Sequence, residues 1–472
     1  MLLLLAASIG AYDTARIDAA FDGLQTYFYN GTFSFWKACG QTGGNGGAFN
    51  DFNCDCAKDP SGFCEECFRW WMAGTVGTLV DLNALVPAHR SSSLTLAVVD
   101  AMLLRSPYTA RYAPSWAYID DYLWYVLMWL RVARWKGNET SLVDEAAATF
   151  DLMWSFGADE ACGGIVWLYP DVDPRKNAIT ALEAVQAAAQ LAAAYGAAAQ
   201  PQRAAEYAGR ARALWAWFES TPLLSSNHLV LDNVTGTPHG KMQCCNGTSA
   251  GASGPVCANA ARTPVWSYNQ GMLLGALVDL HALTANATLL ALGARTLDAV
   301  VANLAPDGVL AETKGLTIPA ATCDAAHDPS ATAGGDIFSF KGVFFRELPR
   351  FVAAAAANGA MSAAQRGAAR RLVGASAAAA WASRVAPPFP ASDVCDEFGA
   401  AAPVGGPPKF TWDFRALPSS GWSCLDSRTQ SSALALFVAE LALAARPPVS
   451  IRPKLRRRSR SSSPSSRCTV LE

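Results

Sequence analysis

Two neighbouring acids, Asp120 and Asp121, stand at the start of an otherwise apolar run, Tyr118-Ile119-Asp120-Asp121-Tyr122-Leu123-Trp124. A single acid there would be ordinary, because a carboxylate caps a first helical turn and interacts favourably with the helix dipole. Two side by side repel each other, and aromatic neighbours disfavour both charges. Such a pair suits glycoside hydrolysis, which needs one carboxylic acid to protonate the leaving oxygen and one carboxylate at the anomeric carbon. Retaining enzymes hold these groups about 5–5.5 Å apart, which consecutive residues at a helix start can present, whereas inverting enzymes need a wider gap for a water. Repulsion also raises one pKa, so that one member stays protonated as the acid and the pair titrates as a unit.

The elements that must position this pair are helical. Strand signals are scarce. Amphipathic or apolar periodicity predicts helices over Tyr12–Tyr29, Arg69–Leu85, Ser93–Leu104, Asp120–Lys136, Ser141–Phe156, Asn177–Tyr195, Ala204–Phe218, Ser267–Leu283, Thr288–Asn303, Phe340–Ala357, Ser362–Ser383 and Gln430–Ala445. Mostly apolar helices alternate with ones that are polar on one side, as inner and outer members of hairpins. Most of the Gly, Cys, Trp and Pro fall in the loops between pairs. Twelve helices in hairpins predict one all-α domain, an (α/α)6 toroid over residues 12–446. An α-solenoid would show a repeated unit, and no self-similarity is visible. In a closed ring, long loops at one end line a cleft.

Composition narrows the function. A net charge of −2 argues against nucleic acid, since phosphate binding needs a basic surface. Fifteen Trp and twelve Tyr supply either a large core or rings that stack on sugar faces. Five of the thirteen Cys lie between Cys39 and Cys67, and Asn-x-Ser/Thr sequons stand at Asn30, Asn138, Asn233, Asn246 and Asn286. The apolar start Met1–Ala7 resembles part of a signal peptide without its basic residues. Together these predict a secreted or cell-wall glycoprotein with disulfides. Cys64-x-x-Cys67 has zinc-like spacing, but Cys54-x-Cys56 does not, and disulfides are the expected use. The five His show no ligand spacing, so neither metal nor cofactor is expected. No transmembrane span is expected either. The chain is read as a monomer, with a disordered Arg/Ser-rich tail over 447–472.

Further motifs follow the acid pair in order: Phe150-Asp151-x-Met153-Trp154, Cys162-Gly163-Gly164-Ile165-Val166-Trp167, Lys176-Asn177-Ala178-Ile179, Trp266-Ser267-Tyr268-Asn269-Gln270-Gly271 and Phe340-Lys341-Gly342-Val343-Phe344-Phe345-Arg346. In these motifs, from about residue 68 to 446, the chain resembles glycoside hydrolase family 76, the endo-α-1,6-mannanases and related fungal cell-wall transglycosidases. Upstream, Arg69-Trp70-Trp71-Met72-Ala73-Gly74 is similar to the double-Trp helix of the fungal branch. The resemblance implies an (α/α)6 fold and a retaining mechanism, with Asp120 as nucleophile and Asp121 as acid/base. It also implies that the glycan partner is mannose-containing.

Asn177, Tyr268, Asn269 and Gln270 are candidates for binding sugar hydroxyls, with helix capping and core hydrogen bonding as the alternative. Trp124 and Trp167 either wall the cleft or lie buried behind it. Lys341 and Arg346 either bind hydroxyls or pair with acids. The Gly163-Gly164 turn lets a loop approach closely. Two departures bear on sugar specificity: Ala181 replaces the amide usual after the Lys-Asn-x-Ile-Ser/Thr motif, and the Gly-rich turn is one Gly shorter. Hydrolysis of α-1,6-mannan is the leading expectation. A mannoside transglycosidase, a non-catalytic glycan binder on the same fold and another α/α-toroid enzyme remain open alternatives.

Overall fold

The computed structural model describes residues 14–31, 34–36, 68–112, 114–115, 117–159, 163–170, 175–235, 264–312, 336–387, 389, 405–411, 414 and 427–445. The cysteines, the segment 39–67, the start Met1–Ala7 and the tail 447–472 lie outside these residues. Twelve helices form among the described residues: α1 Ala15–Phe28, α2 Trp70–Leu85, α3 Ser91–Arg105, α4 Ile119–Trp135, α5 Thr140–Gly157, α6 Ala178–Ala197, α7 Pro201–Ser220, α8 Ser267–Thr284, α9 Ala287–Asn303, α10 Ile337–Ala357, α11 Ala363–Ala382 and α12 Ser427–Ala444. Each expected helix is present, with ends within a few residues.

The ring closes. Helices α2, α4, α6, α8, α10 and α12 pack each on the next, and α12 packs back on α2. That last contact separates a toroid from a solenoid. The remaining six lie outside, with α3 on α2, α5 on α4, α7 on α6, α9 on α8, and both α11 and α1 on α12. Sequence composition explains the layering. Helix α6 is largely Ala, the best helix former, and its small side chains let α4, α7 and α8 approach from three sides. At Gly271 of α8, an added Cβ would fall 2.5 Å from the Phe344 backbone of α10, so glycine permits that contact. Outer helices keep one polar face, and α11 opens with a capping box in which Ser362 and Gln365 satisfy each other's backbone N–H.

An ionic network crosses the toroid axis. Glu347 of α10 is buried and accepts from Arg131 Nη2 of α4 at 2.7 Å and from Arg350 Nη1 at 2.7 Å. Arg131 also reaches Asp81 of α2 at 2.9 Å, and Arg350 reaches Asp279 of α8 at 2.8 Å. Gln190 of α6 donates to Asp279 at 2.7 Å. Five inner helices are thereby tied together at the level below the site. Burial alone pushes the Glu347 carboxyl up, but Arg131, Arg350 and Arg346 outweigh it and hold the carboxyl well below its ordinary value.

Because an outer helix returns the chain after each inner one, the inner helices run in one direction and their N-termini gather at one end. Three short strand pairs stitch the loops there: β1 Tyr29–Asn30 with β2 Phe35–Trp36, β3 Ala117–Tyr118 with β4 Leu168–Tyr169, and β5 Arg175–Asn177 with β6 Asn233–Thr235.

Candidate active site

Asp120 and Asp121 occupy the first turn of α4, where no side chain caps the helix. Two loop contacts bring their partners in. The loop after α5 pairs with the residues before α4 through β3 and β4, and Ile119 N donates to Trp167 O at 2.8 Å. This sets Trp167 beside the pair, and its Nε1 donates to Asp120 Oδ2 at 3.1 Å. The Trp167 ring lies against Tyr118, with centroids 4.6 Å apart. The loop can reach this position because Gly163 and Gly164 adopt left-handed φ of +70° and +78° against Trp217; a Cβ on Gly164 would fall 2.5 Å from that ring. Lys176 anchors the same loop from the other side, donating to Asp159 at 2.6 Å and to the Gly163 carbonyl.

Asp121 accepts from the Tyr108 hydroxyl at 3.3 Å. The two acids are unequal. Burial pushes the Asp120 carboxyl up to about 7; the Trp167 N–H and the first-turn backbone N–H groups pull it down, while Asp336 adds a repulsion. Burial raises Asp121 well above its ordinary value, and Asp120 and Asp336 raise it further, against smaller opposing effects of Arg69 and Tyr108. Both carboxyls are thus held above the ordinary carboxylate range, and they titrate as one coupled unit.

The other expected residues divide into two groups. In the first, Asn177 is the N-cap of α6, and its buried Oδ1 accepts no hydrogen bond. The pairing of β5 with β6, with Ala178 N donating to Asp232 O at 2.8 Å, brings Asp232 to the start of α8. There Asp232 Oδ1 accepts from the Tyr268 hydroxyl at 3.3 Å and from Asn269 Nδ2 at 3.1 Å. Asn269 Oδ1 is buried and unpartnered, as is Asp120 Oδ1. Tyr268 stacks on Phe340 at 3.9 Å between centroids. Tyr268 and Trp70 pack on a small apolar cluster of Trp266, Ile337, Phe338 and Phe340 and join it to the main core.

The second group is engaged inside the fold. Gln270 donates to the carbonyls of Val230 and Trp266, and its Oε1 accepts from Val230 N at 2.8 Å. Trp124 is buried, stacked on Trp70 at 5.4 Å, with the Arg346 guanidinium 5.6 Å from its ring. Arg346 also lies 3.5 Å from Glu347 and joins the axial network. Lys341 is buried with its ammonium 4.8 Å over Phe414, and its charge steadies buried Glu312, which receives the N–H and hydroxyl of Ser267.

Sequence reasoning missed Tyr108, Asp232 and Asp336, whose partners are far away in the chain. Asp336, at the start of α10, accepts from Trp70 Nε1 at 3.0 Å. It also missed Glu183. That residue had a signal, for it is the sole charged side chain of the Ala-rich α6. Among the described residues, no group of three or more His, Cys, Asp or Glu has the arrangement to hold a metal, and no helix is long and apolar enough to cross a membrane.

A half-buried pair of neighbouring carboxyls with different hydrogen-bond partners, on the N-terminal face of an α/α toroid, invites comparison with known proteins. Residues 22–386 match glycosyl hydrolase family 76. The chain belongs to this family. No curated protein matches it. Among solved structures, the alpha-1,6-mannanase GH76A of Salegentibacter sp. HEL1_6 is 17% identical, covers 91% of this chain and 99% of its own, and superposes with a TM-score of 0.61. An inactive variant of that mannanase, with two adjacent aspartates replaced and alpha-1,6-mannotetrose bound, gives 0.62 at 17% identity over 91% and 98% of the two chains. Dfg5 from Chaetomium thermophilum, in complex with glucosamine, gives 0.57 at 17% identity over 93% of each chain. At these identities the superpositions establish the family's helical toroid as the fold.

Proposed function

We propose that this family 76 member is a retaining glycosidase acting on α-1,6-linked mannose polymers, with Asp120 as nucleophile and Asp121 as acid/base. The observation that carries the reading is the placement of two neighbouring carboxyls on one helical turn with different partners, Trp167 Nε1 on Asp120 and the Tyr108 hydroxyl on Asp121. Glycoside hydrolysis needs one ionised and one protonated acid at the same pH, and we assign the ionised role to Asp120, whose carboxylate receives the Trp167 N–H and lies at the first-turn backbone N–H groups. In the first step the Asp120 carboxylate attacks the anomeric carbon. Its bond to the glycosidic oxygen breaks, and that oxygen takes the Asp121 proton as the leaving sugar departs. The sugar is then esterified to Asp120. In the second step ionised Asp121 takes a proton from water as the water oxygen attacks the same carbon, which frees Asp120 and reprotonates Asp121. Asn177 and Asn269, each with a buried and unpartnered Oδ1, together with Tyr268 and Trp167, are the residues we assign to holding the sugar. Trp124, Gln270, Lys341 and Arg346 support the site from behind through their contacts within the fold.

Family membership and the likeness to a mannanase support the substrate class. The comparable likeness to Dfg5 favours a second reading, in which a sugar hydroxyl replaces water in the second step. We infer secretion or residence in a cell wall from the sequons and the thirteen cysteines of the sequence; Asn138 and Asn286 are exposed and open to glycosylation. The test is turnover of defined α-1,6-mannooligosaccharides with NMR of the first-formed anomer. Retained configuration is expected, and D121N should lose about 10²–10⁴-fold in rate, as for a general acid. Inverted first product, or D120N and D121N variants as active as the unaltered protein, would overturn the reading. Products longer than the substrate would assign transglycosylation.

A further inference from the structure

Arg346 of α10 enters the toroid axis with its charge incompletely met. Its side chain is 8% exposed, and its Nε lies 3.5 Å from Glu347. That carboxylate is already held at 2.7 Å by Arg131 and by Arg350. The Arg346 amino groups, Nη1 and Nη2, have no hydrogen-bond acceptor among the described residues. The guanidiniums of Arg131, Arg134, Arg346 and Arg350 meet only the carboxylates of Asp81, Asp279 and Glu347 in this axial network. Glu183 is also within electrostatic reach of Arg346, but it has no hydrogen-bond partner, and a lone buried carboxyl is favoured in its neutral form. One positive charge is thereby in excess, and a buried charge without a partner is strongly destabilising.

The guanidinium lines a narrow cavity between α2, α10 and α12. Gly74 places it: a Cβ there would fall 2.7 Å from Arg346 Nη1, so that group rests against the α2 backbone. In the same cavity the Ser339 hydroxyl is buried and makes no hydrogen bond. The other polar groups are committed. Thr78 donates to Gly74 O at 3.1 Å, Ser432 donates to Phe338 O at 2.7 Å, Ser431 shares a hydrogen bond of 2.7 Å with Thr75, and Trp70 Nε1 is taken by Asp336. None of the described lining residues is acidic. The cavity also lies at the starts of three inner helices: Trp70 opens α2, Ser339 is in the first turn of α10, and Ser431 follows the first turn of α12. Helix N-termini carry partial positive charge and favour anions.

We propose that this cavity is an anion site that takes chloride, held between the amino groups of Arg346 and the hydroxyl of Ser339. The uncommitted groups supply N–H and O–H donors, which suit an acceptor. The excess guanidinium charge and the three helix N-termini favour an anion over neutral water. The narrow interior favours a monatomic ion over phosphate or sulfate. The bound ion steadies Trp70, which lines the cavity, and through it Trp124, which stacks on Trp70 and lies 5.6 Å from the Arg346 guanidinium. The site is separate from the carboxyl pair and does not depend on the reaction proposed for that pair.

The test is a halide titration of the full chain, freed of chloride by dialysis into gluconate. Thermal melting is followed as chloride replaces gluconate at constant ionic strength, which holds screening fixed. A saturable rise in Tm is expected, because a ligand that binds only the folded chain stabilises it by mass action. In S339A the half-saturating chloride concentration is expected to be about 10–100-fold higher, as for the loss of one hydrogen bond to a charged group. A second measurement locates the ion: crystals of the unaltered chain soaked in bromide, an anomalous scatterer, are expected to show a peak between Arg346 and Ser339. Neither readout needs turnover, so both stand even if the chain proves inactive on mannosides. Identical melting curves in chloride and gluconate would overturn the proposal. So would an S339A response equal to that of the unaltered chain, or water alone in the cavity of the bromide-soaked crystals.

Discussion

The hydrogen bond from Trp167 Nε1 to Asp120 Oδ2, at 3.1 Å, gives a direct handle on the proposed nucleophile. Trp167→Phe keeps a ring against Tyr118 and removes the donor. A hydrogen bond to a charged group contributes about 1.5–3 kcal/mol, and one pH unit corresponds to 1.36 kcal/mol. Removing the donor disfavours the ionised form, so the Asp120 pKa must rise, by about one to two units. In the free enzyme that group sits at about 7, and the pH dependence of kcat/KM reports the free enzyme. The acid limb of kcat/KM on an α-1,6-mannooligosaccharide should therefore move upward by that amount. Below the limb the variant should be about 10–100-fold slower, with the gap closing as pH rises through the new limb until Asp121 begins to deprotonate. A uniform loss at all pH values would mean that the indole positions sugar without tuning charge. An unmoved acid limb would refute the assignment of Asp120 as the group that must ionise.

Glu347→Ala strands the guanidiniums of Arg131, Arg346 and Arg350 in the toroid axis and should cost about 3–5 kcal/mol in denaturant unfolding. Because Glu347 is held below the ordinary carboxylate value of 4.5, its contribution is complete above that value and fades as pH falls beneath it; Glu347→Gln should flatten that acid slope. Asp120 works with the opposite sign. Its folded-state value is raised from 3.8 to about 7, so its protonated form favours folding below 3.8 and that advantage is lost as pH rises through about 7. D120N should thus gain stability relative to the unaltered protein between pH 4 and pH 8, by at most about 4 kcal/mol; a gain independent of pH would contradict the shift. Gly164→Ala forces a Cβ onto Trp217 at a left-handed φ. It should cost about 1–3 kcal/mol and lower kcat/KM, because the same loop carries Trp167; thermal melting and kinetics together check this.

The twelve helices were legible because each has its own apolar periodicity and its own loop signals, and these are local. The inner–outer alternation was legible for the same reason, since Ala-rich α6 and apolar α4 contrast with the polar face of α11. The acid pair stood out as adjacent charges in an apolar run, and the motifs after it supplied family membership. The charge state of the pair was not legible. It depends on Trp167, 47 residues on, and on Tyr108, 13 residues back, and neither partner is marked by spacing. The same limit applied to Gln270 and Arg346. Both sit in motifs that read as sugar-binding, yet one is bonded to the backbone around Val230 and the other joins Glu347 in the axis.

Sequence alone thus determined which segments coil and which two acids are candidates for chemistry, because helix formation and residue type are properties of short stretches. Tertiary structure alone decided that α12 closes on α2, that Glu183 lies buried without a hydrogen-bond partner, and that Trp167 reaches Asp120 while Tyr108 reaches Asp121. Those outcomes depend on burial and on hydrogen bonds between residues brought together only when the ring closes, and desolvation is a property of the folded surroundings rather than of the residue.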